Sequence, residues 1–202
     1  MSEGYETGQP LSGEREAVLL RDADIRDALC DYLEERSGRV RFFDELEMGS
    51  SRADIVMVTE EGLTGVEIKS DADTYARLPR QVRDYDRYFD RNLLVVGSRH
   101  AHHAAEHIPE HWGILVAERE DGRMDFYELR SPKPNPKDPL RAQLKLLWRR
   151  ELLHLQTENG LHKYAGKRRS TVESYVKKSV PGELLKPQIL AELFERDYTI
   201  FD

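Results

Sequence analysis

Cysteine is almost absent from this 202-residue chain: Cys30 stands alone, so no disulfide can close within it, and no CxxC or Cys/His spacing of a zinc site occurs. That suits a reducing compartment and predicts a fold held by ordinary burial, which a chain of this length can supply. Long apolar runs are missing too. No stretch approaches the roughly 20 residues that cross a bilayer, and Met1 to Gly13 is polar and acidic where a signal sequence would be basic and then apolar. The expectation is a soluble cytoplasmic protein without membrane contact. Internal repeats and low-complexity tracts are also lacking.

Positive charge is in deficit, with a net charge of -7, which disfavours nucleic-acid binding if spread evenly. It is not. Residues 1–132 hold 17 Lys and Arg against 29 Asp and Glu, whereas residues 133–202 hold 14 against 9. Any nucleic-acid contact outside a catalytic pocket is therefore expected to lean on the C-terminal part, unless these charges only solvate helix faces.

Residues 1–13 carry no apolar period and read as a disordered lead-in. From Asp24, the positions Ile25, Leu29, Tyr32 and Leu33 follow helical spacing up to Ser37-Gly38. Three short runs follow, Val40 to Glu47, Ala53 to Thr59 and Leu63 to Lys69, a predicted meander. A helix is predicted from Leu78 to Phe89, with Pro79 in its first turn. Leu93 to Val96 reads as a strand buried on both faces and Trp112 to Val116 as another. Asp121-Gly122 makes a hairpin turn into an edge strand, Phe126 to Leu129.

Residues 132–139 contain Pro132, Pro134, Pro136 and Pro139, which predicts a linker between a core of residues 14–131 and a helical C-terminal subdomain of residues 140–202. In the latter, Leu140, Leu144, Leu147, Trp148, Leu152 and Leu155 describe one long helix. Ser170-Thr-Val-Glu173 is a capping-box sequence for a second. Glu183 to Glu195 forms a third, which Pro187 breaks or restarts.

Chemistry concentrates in two of the strands. Asp54 lies among apolar neighbours in Arg52-Ala-Asp-Ile-Val-Met-Val58, and a lone carboxylate there is costly without a partner or metal. In Gly65-Val-Glu-Ile-Lys69, Glu67 and Lys69 share one strand face. If the two strands pair, both carboxylates and the ammonium converge. With the main-chain carbonyl of Ile68 they suit a hard cation such as Mg²⁺, with Mn²⁺ as a substitute. Such a cation activates water and offsets phosphate charge, while Lys69 acts as a point charge on the transition state. The plain alternative is a same-face surface ion pair, worth under about 1 kcal/mol.

Asp54 followed thirteen residues on by Glu67-Ile68-Lys69 resembles the split Asp…Glu-X-Lys signature of the PD-(D/E)XK nuclease superfamily. Gln81-Val-Arg-Asp-Tyr85 resembles the Gln-X-X-X-Tyr element of its RecB-like branch. The run from Arg52 through Arg77-Leu, Gln81, Tyr85 and Phe89-Asp90 to Ile108-Pro-Glu-His-Trp-Gly113 is similar to small stand-alone bacterial proteins of this class. The likeness covers roughly residues 22–130. It implies an α/β fold of restriction-endonuclease type, a central mixed sheet flanked by helices, here with a C-terminal helical extension.

The resemblance also implies an Mg²⁺-dependent DNA nuclease, in repair or defence, with Asp54, Glu67, Lys69, Gln81 and Tyr85 in the site and Glu45 as a third acidic ligand or base. Glu47 competes with Glu45 on the same strand face, and Tyr85 also belongs to an apolar stripe, so packing alone explains it equally well. A catalytically silent binding module, an RNA nuclease and a homodimer are the alternatives kept open. Arg52 is a second-rank phosphate contact, as are Lys167, Arg168 and Arg169 in Lys163-Tyr-Ala-Gly-Lys-Arg-Arg169. His100, His102, His103, His107 and His111 are read as a solvated polar segment rather than a metal site, because no zincin order or partner cysteine accompanies them.

Overall fold

A computed structural model describes residues 20–164 and 166–198; the lead-in expected over residues 1–13 lies outside the described residues. The protein is α/β. Six strands in the order β1-β2-β3-β4-β5-β6 form one mixed sheet: β1 Arg41–Met48, β2 Ser51–Thr59, β3 Gly62–Lys69, β4 Arg91–Gly97, β5 Gly113–Glu120 and β6 Arg123–Arg130. The first three pair antiparallel as the predicted meander. Helix α2, Leu78–Tyr88, crosses over so that β4 runs parallel to β3, and β5 is parallel to β4 in turn. The β5–β6 hairpin turns at Asp121 and Gly122, both with positive φ, +47° and +82°, the pairing a two-residue turn needs to match strand twist.

Side-chain alternation divides the sheet into two cores. Ile55, Val66, Ile68, Leu93 and Val95 face helix α1, Asp22–Ser37, and bury against Ile25, Leu29 and Leu33. Val56, Val58, Leu94 and Val96 face α2 and the C-terminal helices, α3 Leu140–Gln143, α4 Arg149–Glu158, α5 Arg169–Ser179 and α6 Gly182–Phe194. One apolar cluster runs from β2 through Tyr85 and Phe89 to Leu155, Val176 and Ile189, so the C-terminal helices complete the core of the sheet.

The proline-rich crossing is pinned to that core. Asn135 donates from its main chain to Asp90 O, and from its side chain to Asp86 O and Phe89 O, each at 2.8 Å. Asp90, just after α2, accepts from the Leu63 amide at 2.9 Å, from Gln143 at 3.0 Å and from Lys186 of α6. That carboxylate ties β3, α3 and α6 together.

Three local expectations need correction. The helix expected across residues 140–155 is broken, because Leu147 and Trp148 are extended, at ψ 144° and 164°. Glu151 accepts the Trp148 amide at 2.6 Å and so opens a new helix there. The Arg169 side chain donates to the carbonyls of Lys145 and Leu147, groups that a continuous helix would have used. Ser170 is not the cap of α5: that helix begins one residue earlier, and Glu173 pairs with Arg169 at 2.7 Å. Pro187 neither breaks nor restarts α6, which runs through it.

Candidate active site

Glu67 and Lys69 sit near the C-terminal end of β3, a strand buried along its whole length. Glu67 is 0% exposed and Lys69 3%. Both project to the α2 side, and α2 comes close because Gly65, two residues earlier on that face, has no side chain. A Cβ there would lie 2.1 Å from the Phe89 ring and 2.7 Å from that of Tyr85. Gly65 thus sets the spacing that brings α2 within hydrogen-bond reach of Glu67.

Glu67 is fully partnered. Its Oε1 accepts from Lys69 Nζ and, at 2.5 Å, from Gln81 Nε2; its Oε2 accepts from the Tyr85 hydroxyl at 2.7 Å. That hydroxyl in turn accepts from the Asp54 amide at 3.3 Å, so Tyr85 links both acidic residues. Burial first, then the charges of Glu67 and Asp54, keep this phenol well above its ordinary pKa and hence protonated. Asp54 Oδ2 accepts the Ile68 amide at 2.8 Å. Burial and the neighbouring Glu67 charge push its carboxyl up to about 7, against the opposing pull of the Ile68 hydrogen bond and Lys69. Two carboxylates with one ammonium between them leave a site short of positive charge.

Asp54, Glu67, Ile68, Lys69 and Gln81 line one open cavity of about 660 Å³. Its other wall is the β1–β2 hairpin, which Asp84 of α2 holds in place by accepting from Ser50 and Ser51 hydroxyls at 2.8 and 2.7 Å. Burial raises the Asp84 carboxyl, but these hydrogen bonds outweigh it and the net shift is downward. Gly49, at φ +59°, lets the hairpin turn against this carboxylate: a Cβ there would meet Asp84 Oδ1 at 2.8 Å.

A family model described as Bacteriophage P4 protein cII matches residues 15–199. The chain belongs to that family. No curated protein and no solved structure matches the chain.

Of the residues singled out in the sequence, Asp54, Glu67, Lys69, Gln81 and Tyr85 come together. The Tyr85 ring packs on Phe89 and Trp112, with centroids 5.3 and 5.2 Å apart, while its hydroxyl donates to the Glu67 carboxylate and accepts the Asp54 amide. Glu45 and Glu47 line the same cavity, but among the described residues no three His, Cys, Asp or Glu side chains gather closely enough to hold a metal. Glu45 adopts φ +52°, outside the usual range for a side-chain-bearing residue, and its carboxylate pairs with Arg52 at 3.2 Å.

Lys167, Arg168 and Arg169 lie around the start of α5 and do not line this cavity; the Arg169 guanidinium is spent on Glu173 and two carbonyls. The histidines occupy turns and short 3₁₀ segments rather than a helix. His107 stacks on Tyr75 at 4.1 Å, and His111 meets the buried Asp86 at 2.9 Å, beside Trp112 Nε1 at 2.8 Å.

The donor set fits a hard divalent cation. Two carboxylates and a main-chain carbonyl are all oxygen, and magnesium needs only one or two protein carboxylates when water and phosphate complete its shell. Gln81 Oε1 is buried without a hydrogen-bond partner, an acceptor left beside Glu67 for a water or substrate donor. Sequence reasoning missed Arg26, whose guanidinium reaches Asp54 O at 2.6 Å from α1; that contact across 28 residues leaves no local signal. It also missed Arg77, one turn before Gln81, and Arg80, one turn after Arg77, both of which line the cavity.

Proposed function

We propose that this protein is a metal-dependent phosphodiesterase that hydrolyses DNA, a member of the PD-(D/E)XK class at work in repair or defence. The observation that carries this reading is the burial of Glu67 and Lys69 together in a central strand, beside Asp54, on the wall of an open cavity. Taking such charges out of water costs several kcal/mol, and well-packed apolar residues would serve the fold at least as well. A perturbed carboxylate in a cleft beside a buried ammonium is what a catalytic site requires.

Asp54, Glu67 and the Ile68 carbonyl would hold Mg²⁺ or Mn²⁺. When bound, the cation supplies positive charge at the scissile phosphate and activates water for attack. Lys69 orients the nucleophile and stabilises charge that builds on the phosphate oxygens. Gln81 and Tyr85 fix the plane of the Glu67 carboxylate, as positioning residues do.

The test is incubation of the pure protein with linear, circular and single-stranded DNA, and with RNA, in Mg²⁺, Mn²⁺ or chelator, beside Lys69→Ala and Glu67→Gln. The expected result is metal-dependent DNA cutting that is lost in both variants, whose folding is checked by circular dichroism. Cutting that persists in both would rule out this site, cutting of RNA alone would reassign the substrate, and DNA binding without cleavage would make the protein a silent binding module.

A further inference from the structure

Four arginines line the cavity that contains Asp54, Glu67 and Lys69, and they divide into two kinds. Arg26 is spent on Asp22 at 2.9 Å, Asp44 at 3.4 Å and the Asp54 carbonyl, and Arg52 on Glu45. Arg77 and Arg80 are exposed, with no ion pair or side-chain hydrogen bond among the described residues. The two stand one helical turn apart on the lining of the cavity.

Their position is also unfavourable for the fold. Arg77 is the N-cap of α2 and Arg80 lies in its first turn, which contains no acidic residue. Cations at the positive end of a helix dipole are destabilising, and like charges one turn apart add to that. Neither packing nor pairing returns this cost. An anion in the cavity would, since two planar donor forks and the helix end all present positive potential to it.

We infer that Arg77 and Arg80 hold backbone phosphates of a nucleic-acid strand, adjacent to the phosphate that lies at Asp54, Glu67 and Lys69. This rests on the nuclease reading and adds to it the residues that take the strand beside the scissile phosphate. The contact would then lie in the acid-rich half of the chain, away from the basic C-terminal part on which the charge balance had placed it.

The experiment is fluorescence anisotropy of the full-length protein with a labelled single-stranded oligonucleotide, in Ca²⁺ and in chelator, across a salt series. Arg77→Gln/Arg80→Gln is expected to bind about tenfold more weakly at low salt. Its slope of log affinity against log salt should be shallower by roughly 1.4, two contacts at about 0.7 each for a single strand. Arg77→Lys/Arg80→Lys should recover most of the slope, and the melting temperature of the Gln variant should stay level or rise, which a structural role for these arginines would not give. Arg83→Gln, exposed on the same helix but outside the cavity, is the control and should bind as the wild type does.

An unchanged slope in the double Gln variant, or an equal loss in Arg83→Gln, overturns the inference. Failure of the nuclease reading is separate: wild-type protein that never cuts but binds through Arg77 and Arg80 leaves this inference standing, whereas cutting with Arg-independent binding leaves only the nuclease reading.

Discussion

Glu67 and Lys69 are each tolerable only because of the other. Removing one leaves an uncompensated buried charge, a loss on the order of 3–5 kcal/mol, while replacing both with neutral groups of similar shape is far less costly. Lys69→Ala should therefore lower the chemical denaturation midpoint more than Glu67→Gln/Lys69→Met does, although the double variant should be equally inactive. Equal midpoints would mean that water reaches the pair.

Asp54 gives a second check at this scale. Its folded carboxyl titrates near 7, above the ordinary value of about 3.9 expected in the unfolded chain. With the folded value raised, its favourable contribution is fully present below the unfolded value and is lost as pH rises through about 7. In chelator, the wild type should lose stability between about pH 4 and pH 7 more steeply than Asp54→Asn and level off above that, and Mg²⁺ should restore most of that loss. Parallel pH profiles would place the titration elsewhere.

Among the elements, the contact between β3 and α2 decides the geometry. Gly65→Ala drives a methyl group into the rings of Phe89 and Tyr85, so it should cost about 1–3 kcal/mol and move Gln81 and Tyr85 off Glu67. Thermal melting and turnover number measured together test this: a variant as stable and active as wild type would show that α2 can shift freely. Elements of this kind were legible in the sequence, because the period of two around Glu67 and the helical stripe through Leu78 and Tyr85 are local signals. The break at Leu147 and Trp148 was not, since Arg169, 22 residues away, supplies the partner that ends the helix there. Arg26 escaped for the same reason, whereas Gly65 shares a face with Glu67 and was open to the same period-two reading.

For the molecule as a whole, the proline-rich crossing marks a change of layer rather than a border between independent bodies. Leu144, Leu155, Val176 and Ile189 belong to the apolar cluster that contains Val56, Tyr85 and Leu94. A chain that stops at Pro139 would uncover that face of the sheet, so it should lose the cooperative unfolding transition and bind a hydrophobic dye. A sharp transition in that fragment would instead restore the picture of two bodies with a linker. Among the described residues no helix is long and apolar enough to cross a membrane.

The carboxylate of Asp90 also bears on when the protein becomes competent during its synthesis. It fixes the start of β3 through the Leu63 amide and the end of α2 by position, and it takes Lys186 of α6 as a partner. A ribosome would release the sheet and α2 long before α6, and until α6 emerges Asp90 lacks its cation and the cluster lacks its outer layer. The nascent chain would thus carry every residue of the site and still not hold them in register, so assembly of the site would wait on the last helix.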